Sequence, residues 1–234
     1  MLKAVEVYVS YRKGIDILQG VTVCPLEGRI TAVLGANGIG KSTLLKTMFG
    51  LLTPHRGEII YRNENITSLS PHKIMRKGIA YIPQRRNVFP NFSVEKNLQL
   101  GGWILNEEKK ERKVLENLDR FPILKEKRNI KAGLLSGGQQ RMVEIARALM
   151  VDPDLLLIDE PTAGLAPKVA KEIYKYLKVL RDDKKTILLV DQNIRQAVEI
   201  ADYVYILELG RNKMDGPIER FGDLIETFWS HALE

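Results

Sequence analysis

Gly35-Ala36-Asn37-Gly38-Ile39-Gly40-Lys41-Ser42-Thr43 is the stretch on which the reading of this chain turns. It fits G-x-x-x-x-G-K-[ST] and lies between a β-branched run, Ile30 to Leu34, and a helical pattern, Lys41 to Phe49, closed by Gly50. Glycines admit backbone angles that turn successive N–H groups into a nest for phosphate oxygens, and the following helix adds the positive end of its dipole. Lys41 is long enough to bridge the β- and γ-phosphates of a nucleotide, and the Ser42 hydroxyl is small enough to ligate Mg²⁺. The bland alternative is a plain Gly-rich turn. At ordinary residue frequencies the bare pattern arises in about 1% of chains this long, and the strand-loop-helix setting makes it rarer.

Further along, Leu155-Leu156-Leu157-Ile158-Asp159-Glu160 reads as an apolar strand ending in two carboxylates. A buried strand that delivers Asp159 to a sheet edge can hold Mg²⁺, and Glu160 can then polarise a water in line with the γ-phosphorus. Alone, such a pair is more often a helix cap or surface charge; behind a phosphate loop, the chemical reading is preferred. Around these two segments, short β-branched runs alternate with helical patterns. Val5 to Val9, Glu58 to Tyr61 and Ile79 to Ile82 read as strands. Helix Gly138 to Met150, helix Pro167 to Arg181, strand Thr186 to Val190, helix Ile194 to Ala201 and strand Tyr203 to Leu207 complete the alternation. That order implies βαβ crossovers and a mainly parallel α/β sheet, with chemistry in the loops after Leu34, Ile82, Ile158 and Val190. From Ser93 to about Lys127 the texture is charged and helix-forming, as expected of an inserted helical subdomain.

The 234 residues are 44% hydrophobic and 28% charged, which excludes disorder and repeat architectures. The longest apolar stretches are of strand length, whereas a membrane span needs about 20 residues. The N-terminal MLKAVEVYVSYRKG has no apolar h-region, so no secretory signal is expected, and Cys24 has no second cysteine to pair with. Both features suggest the cytosol. The net charge of +7 leaves three readings open: nucleic acid, an anionic membrane, or an ordinary soluble surface.

Between the phosphate loop and the carboxylates stands Leu135-Ser136-Gly137-Gly138-Gln139, leading into a helix. With this motif set the chain resembles the ATP-binding cassette (ABC) ATPases, whose signature loop reads L-S-G-G-Q. Physically, Ser136 and two glycines before a helix make a second anion site; an N-capped helix start accounts for the serine as well but does not explain the two glycines. The resemblance implies a P-loop NTPase core with a mainly parallel sheet, an N-terminal antiparallel β subdomain and an inserted α-helical subdomain. Residues 1–84 and 150–234 would form the core, and 85–149 the helical unit. It further implies that Ser136, Gly137, Gly138 and Gln139 serve the ATP held by a second, head-to-tail ATPase subunit.

Other positions follow from the same resemblance. Gln84 matches the glutamine that senses Mg²⁺ and the attacking water, so Ser42, Gln84 and Asp159 are the expected metal site. Tyr11 matches the adenine-stacking aromatic, with Tyr8 as the fallback and a structural tyrosine as the bland reading. Gly164-Leu165-Ala166-Pro167 sits where a loop crosses the dimer interface. Gln192 stands where most members carry a histidine, and none of His55, His72 and His231 is placed to replace it. Gln192, Gln84 and Glu160 are thus the expected catalytic set.

The segment Pro71 to Pro83, Arg85-Arg86-Asn87-Val88-Phe89-Pro90, Gly164 to Pro167 and Val190-Asp191-Gln192-Asn193 resemble one ATPase subunit of branched-chain amino acid importers. That subunit often carries glutamine at the switch position, and frequently glutamate where Gln84 stands. The implied partners are a second ATPase subunit, as a second copy or a paralogue, transmembrane permease subunits and, through them, an extracytoplasmic solute-binding protein. The chain would sit at the cytoplasmic face of the cell membrane and dock through the helical insert and the loop around Arg85 to Asn91. The rival is a soluble ABC ATPase acting on nucleic acid or ribosomes. Its members carry long coiled coils, zinc modules or two cassettes, none of which is legible here, so no nucleic-acid partner is expected. Export is a third reading, because the substrate path lies in other subunits.

Overall fold

The computed structural model describes residues 1–12, 14–85 and 87–221. In chain order, β1 (Leu2–Arg12) and β2 (Ile15–Val23) precede β3 (Ile30–Leu34), α1 (Lys41–Met48), β4 (Arg56–Tyr61), β5 (Glu64–Asn65), α2 (Pro71–Arg76) and β6 (Ile79–Ile82). Three helices follow without an intervening strand: α3 (Val94–Gly101), α4 (Glu107–Arg120) and α5 (Pro122–Glu126). Then come α6 (Gly137–Leu149), β7 (Leu155–Asp159), α7 (Pro167–Asp182), β8 (Thr186–Asp191), α8 (Ile194–Val198), β9 (Tyr203–Glu208) and β10 (Arg211–Pro217).

Two sheets result. One is antiparallel, in the order β2-β1-β4-β5; the other runs β10-β9-β3-β8-β7-β6 and is parallel except for its edge strand β10. The apolar runs of the parallel strands explain the layering, because successive side chains point to opposite faces. Ile30, Ala32 and Leu34, Leu156 and Ile158, and Ile187 and Leu189 belong to one core, shared with α6, α7 and the α3–α5 insert. Val33, Leu155, Leu157, Leu188 and Val190 belong to a second core, shared with α1 and the antiparallel sheet. Both faces are covered, and each fully buried Leu or Ile contributes about 1.5–3 kcal/mol.

The strand ends line up. Leu34 pairs in register with Asp191 and Ile206, Ile82 with Ile158, and Asp159 with Val190, so the loops that follow open along one edge. At that edge β3 sends α1 to one face while its neighbour β8 sends α8 to the other, and the divergence opens a crevice between them.

The structure adds elements that sequence periodicity does not display. β2 carries Asp16, Gln19 and Thr22, and β10 alternates polar with half-buried positions; both are edge strands whose pairing comes from their neighbours. The short α2 starts on Pro71, and the helix expected over Ile194 to Ala201 stops at Val198, where the chain tightens into a turn with Ile200 N–H donating to Ala197 O. His231 lies outside the described residues, as does Arg86 in the expected docking loop.

Candidate functional site

Gly40 closes the phosphate loop at φ 106°, and a Cβ there would lie 2.6 Å from Leu18 Cδ2, so both backbone and space require glycine. The first amide of α1 bonded within the chain is Leu44 N–H, which donates to Gly40 O at 2.9 Å. Among the described residues the N–H groups from Ala36 to Thr43 have no protein acceptor, while Ala36, Asn37 and Gly38 are exposed at the loop tip beside half-buried Ile39. Lys41, 4% exposed, turns back into the loop and donates from Nζ to Gly35 O at 2.7 Å and Ala36 O at 2.9 Å. Burial lowers its pKa against the pull of Glu160, Asp191 and Asp159.

Across the crevice, β7 ends in Asp159, which accepts from Ser42 Oγ (Oδ1, 2.8 Å) and from the Tyr81 hydroxyl (Oδ2, 3.2 Å). Glu160 follows with φ 41°, a left-handed conformation that L residues rarely adopt and that aims its side chain away from the strand. Its Oε2 accepts from Gln84 Nε2 at 2.6 Å. Burial raises the pKa of both carboxyls; Ser42 and Tyr81 oppose this at Asp159, and Lys41 opposes it at Glu160. Lys41, Ser42, Asp159, Glu160 and Gln84 thus converge from three strand ends.

The signature residues lie apart, and no hydrogen bond among the described residues joins them to the phosphate loop. Exposed Ser136 caps α6: its Oγ accepts from Gln139 N–H at 3.4 Å, and Gln139 Oε1 accepts from Ser136 N–H at 3.2 Å. A Cβ on Gly138 would stand 2.0 Å from Val169 Cγ1, so this glycine is fixed by the approach of α7, a packing reason that the sequence did not disclose.

Just over one turn into α6, Arg141 was missed by sequence reading. Its buried guanidinium donates to Pro83 O (2.8 Å), Gln84 O (3.2 Å), Glu160 O (3.1 Å) and Pro161 O (2.9 Å) and pairs with Glu144 at 2.7 Å. Glu144 in turn accepts from Asn87 N–H at 2.6 Å. One side chain therefore ties the signature helix to the loops of Gln84 and Glu160. The only sequence signal is a pair of opposite charges three residues apart on an apolar helix face.

Tyr11 is exposed, with its hydroxyl 3.2 Å from Thr43 Oγ1, beside the phosphate loop. Tyr8 is engaged elsewhere, under Arg56 at 5.0 Å and beside His55 at 6.2 Å. His55 pairs with Asp16 and His72 with Ser70. Gln192 is exposed in the turn between β8 and α8, and its carboxamide has no partner among the described residues. Its neighbour Asp191, given no role of its own in the sequence analysis, is buried and bonded to Tyr174.

The donor set suits a nucleoside triphosphate: consecutive free N–H groups and a lysine at a helix N-terminus form an anion cradle. A serine hydroxyl and a carboxylate suit Mg²⁺, which keeps several waters and takes further oxygens from phosphate; no cluster of three His, Cys, Asp or Glu that could hold an ion occurs among the described residues. Fold and strand-end loops define the class of phosphate-loop ATPases. The ABC transporter family model matches residues 18–163. The chain is 44% identical over 217 residues to the probable branched-chain amino acid transport ATP-binding protein LivF of Archaeoglobus fulgidus, covering 92% of each. It is 34% identical over 201 residues to the lipopolysaccharide export system ATP-binding protein LptB of Escherichia coli K12, covering 85% of this chain and 83% of that protein. The crystal structure of the ADP conformation of MJ1267, an ATP-binding cassette of an ABC transporter, superposes with a TM-score of 0.87 at 27% identity, covering 97% of this chain and 98% of that one. The chain belongs to the ABC transporter family and is an ATPase.

Proposed function

We propose that this ATPase powers a branched-chain amino acid importer. It binds MgATP, pairs head to tail with a second ATPase subunit and drives transport through separate permease subunits at the cytoplasmic face of the membrane. The observation that carries the reading is the division of the site. One chain assembles a phosphate cradle and carboxylates at its strand ends, while its signature loop presents a capped helix N-terminus to solvent with no partner of its own. Two chains in head-to-tail array complete both sites. The solute assignment rests on likeness to the LivF protein at 44% identity, against 34% for the export ATPase.

In this reading the free N–H groups of residues 36–43 and Lys41 hold the β- and γ-phosphates, Tyr11 stacks on adenine, and Ser42, Asp159 and Gln84 hold Mg²⁺. The metal supplies neutralisation of phosphate charge when bound. Glu160 takes the proton of the attacking water as its oxygen bonds to the γ-phosphorus and ADP leaves; burial raises its basicity for that task. Gln84 orients Glu160, and Gln192 hydrogen-bonds the γ-phosphate or the water. A cavity of about 680 Å³, walled by Tyr81, Phe89, Trp103 and Arg147, lies where residues 85–149 meet the core and would receive the permease. No helix among the described residues is long and apolar enough to cross a membrane.

The test is to purify the intact complex, identify its subunits and reconstitute it in vesicles. ATP-driven uptake of leucine, isoleucine or valine, dependent on a solute-binding protein, is expected. ATP-driven extrusion, or a complex without permease subunits, overturns the reading.

A further inference from the structure

Behind Gln192 runs a closed chain of polar groups that the proposed chemistry leaves unused. Asp191, 1% exposed, accepts at Oδ2 from the Tyr174 hydroxyl at 2.7 Å. With that proton committed, the Tyr174 oxygen is the acceptor for Thr162 Oγ1 at 3.1 Å. The other carboxylate oxygen accepts from Asn193 N–H at 2.9 Å, and Asn193 Oδ1 caps α8 through Gln196 N–H at 3.3 Å. Gln192 thus stands between a buried, fixed carboxylate and a capped helix, and its own carboxamide has no partner among the described residues. Its direction is set by backbone alone.

The far end of the chain is equally placed. Thr162 lies two residues after Glu160 and opens the loop to Pro167; its carbonyl accepts from Leu165 N–H at 3.1 Å, and Glu160 O accepts from Ala163 N–H at 3.2 Å. Tyr174 rides on α7, the helix that this loop enters. An apolar pair of the same volume would seal α7 against β8 without desolvating a carboxylate, so what the polar chain adds is direction.

We propose that Tyr174 and Asp191 are positioning residues that hold the backbone of Gln192 and the loop beginning at Thr162 as one unit, so that the switch side chain and the loop at the dimer interface keep a fixed register across the reacting phosphate. This rests on the reading of Gln192 above. Tyr174 touches neither nucleotide nor water; it acts through Asp191 on Gln192.

The test is a double-mutant cycle in the assembled, nucleotide-loaded complex: Tyr174→Phe, Gln192→Ala and the two together, with kcat and the KM for ATP measured for each. Tyr174→Phe is expected to lower kcat roughly tenfold, the scale of coupling between contacting groups, with KM changed by less than about twofold. In the Gln192→Ala background the same change is expected to cost nothing further. Losses that multiply, a KM that moves as far as kcat, or a wild-type kcat in Tyr174→Phe would overturn the inference while leaving Gln192 in the chemistry. A wild-type kcat in Gln192→Ala alone would instead sink the reading of Gln192, and this inference with it. Should Tyr174→Phe fail to fold, Thr162→Val runs the same cycle, because Asp191 keeps all its donors. A loss of roughly threefold that vanishes in Gln192→Ala is expected, and no loss, or a loss that persists there, overturns the inference.

Discussion

The phosphate loop and the signature loop are both glycine-bearing turns at the N-terminus of a helix, yet their surroundings differ. Around the first, Lys41 is buried, Ser42 is held by Asp159, and Glu160 is held by Gln84, so a single chain supplies both the anion cradle and the groups that would act on the anion. Around the second, Ser136 is exposed and bonds only within its own helix. A helix terminus gives an anion a place to sit in both cases; only one gives it something to react with. In the proposed function the second loop is half of a site whose other half is another chain.

The sharpest way to break this contrast is Glu160→Gln. Turnover should fall by roughly 10² or more, the scale of a lost general base, while ATP binding persists and ATP-bound dimers accumulate. Hydrolysis near the wild-type rate would remove Glu160 from the chemistry and with it the claim that the first loop is complete.

Ser136→Arg probes the other side. The isolated protomer should bind ATP as before, whereas ATP-dependent dimerisation and hydrolysis should drop by at least about tenfold, because a bulky cation replaces a small cap at the surface facing the partner's nucleotide. Light scattering with and without ATP reads the first, phosphate release the second. Full activity independent of protein concentration would show that one chain suffices.

Within the same motif, Gly138→Ala should behave differently. Its new methyl group would meet Val169, so we expect about 1–3 kcal/mol of lost stability by denaturant unfolding, the usual cost of overpacking. Unchanged stability would mean that α6 and α7 can part, and that Gly138 is there for the anion alone.

The smallest effect concerns the buried carboxyls. Asp159, Glu160 and Asp191 all have folded-state pKa values above the ordinary, chiefly through burial. A raised folded pKa stabilises the fold below the ordinary carboxylate range, near ~4, and that contribution is lost as pH climbs through the raised value. Glu95 and Asp152, held below the ordinary carboxylate range by Arg128 and Lys185, act in the opposite sense, so the contribution of the three is read by comparing wild type with a chain that lacks one of them. Glu160→Gln should raise the melting temperature relative to wild type more at neutral pH than near pH ~4, because only the ionised carboxylate bears the burial penalty. A melting temperature that falls further below wild type as pH rises from ~4 to neutrality would mean that the charged form of Glu160 is paired rather than penalised.

Much of this was legible before any coordinates. The runs Ile30–Leu34, Leu155–Ile158 and Ile187–Val190 are apolar throughout because both sheet faces are covered, and such runs declare parallel strands. Gly35 to Thr43 declared itself because the pattern of glycines before Lys41 answers a backbone requirement rather than a packing one. The edge strands β2 and β10 stayed silent, since their polar, irregular residues acquire strand geometry from β1 and β9. Arg141 stayed silent too: it lies on a helix between apolar neighbours, and the carbonyls it gathers come from loops some twenty and sixty residues away.

By itself, then, the sequence determined which groups can form a phosphate cradle and which strands carry them, because nest, dipole and alternation are local properties spelled out over a few consecutive residues. It also put Asp159 and Glu160 next to one another. The tertiary structure alone decided how far each group is committed. It closed Asp159 between Ser42 and Tyr81, left the Gln192 carboxamide without a partner among the described residues in front of a buried Asp191, and gave Gly138 a partner in Val169. Hydrogen bonds and van der Waals contacts act over a few ångströms in space, and no distance along the chain reports them.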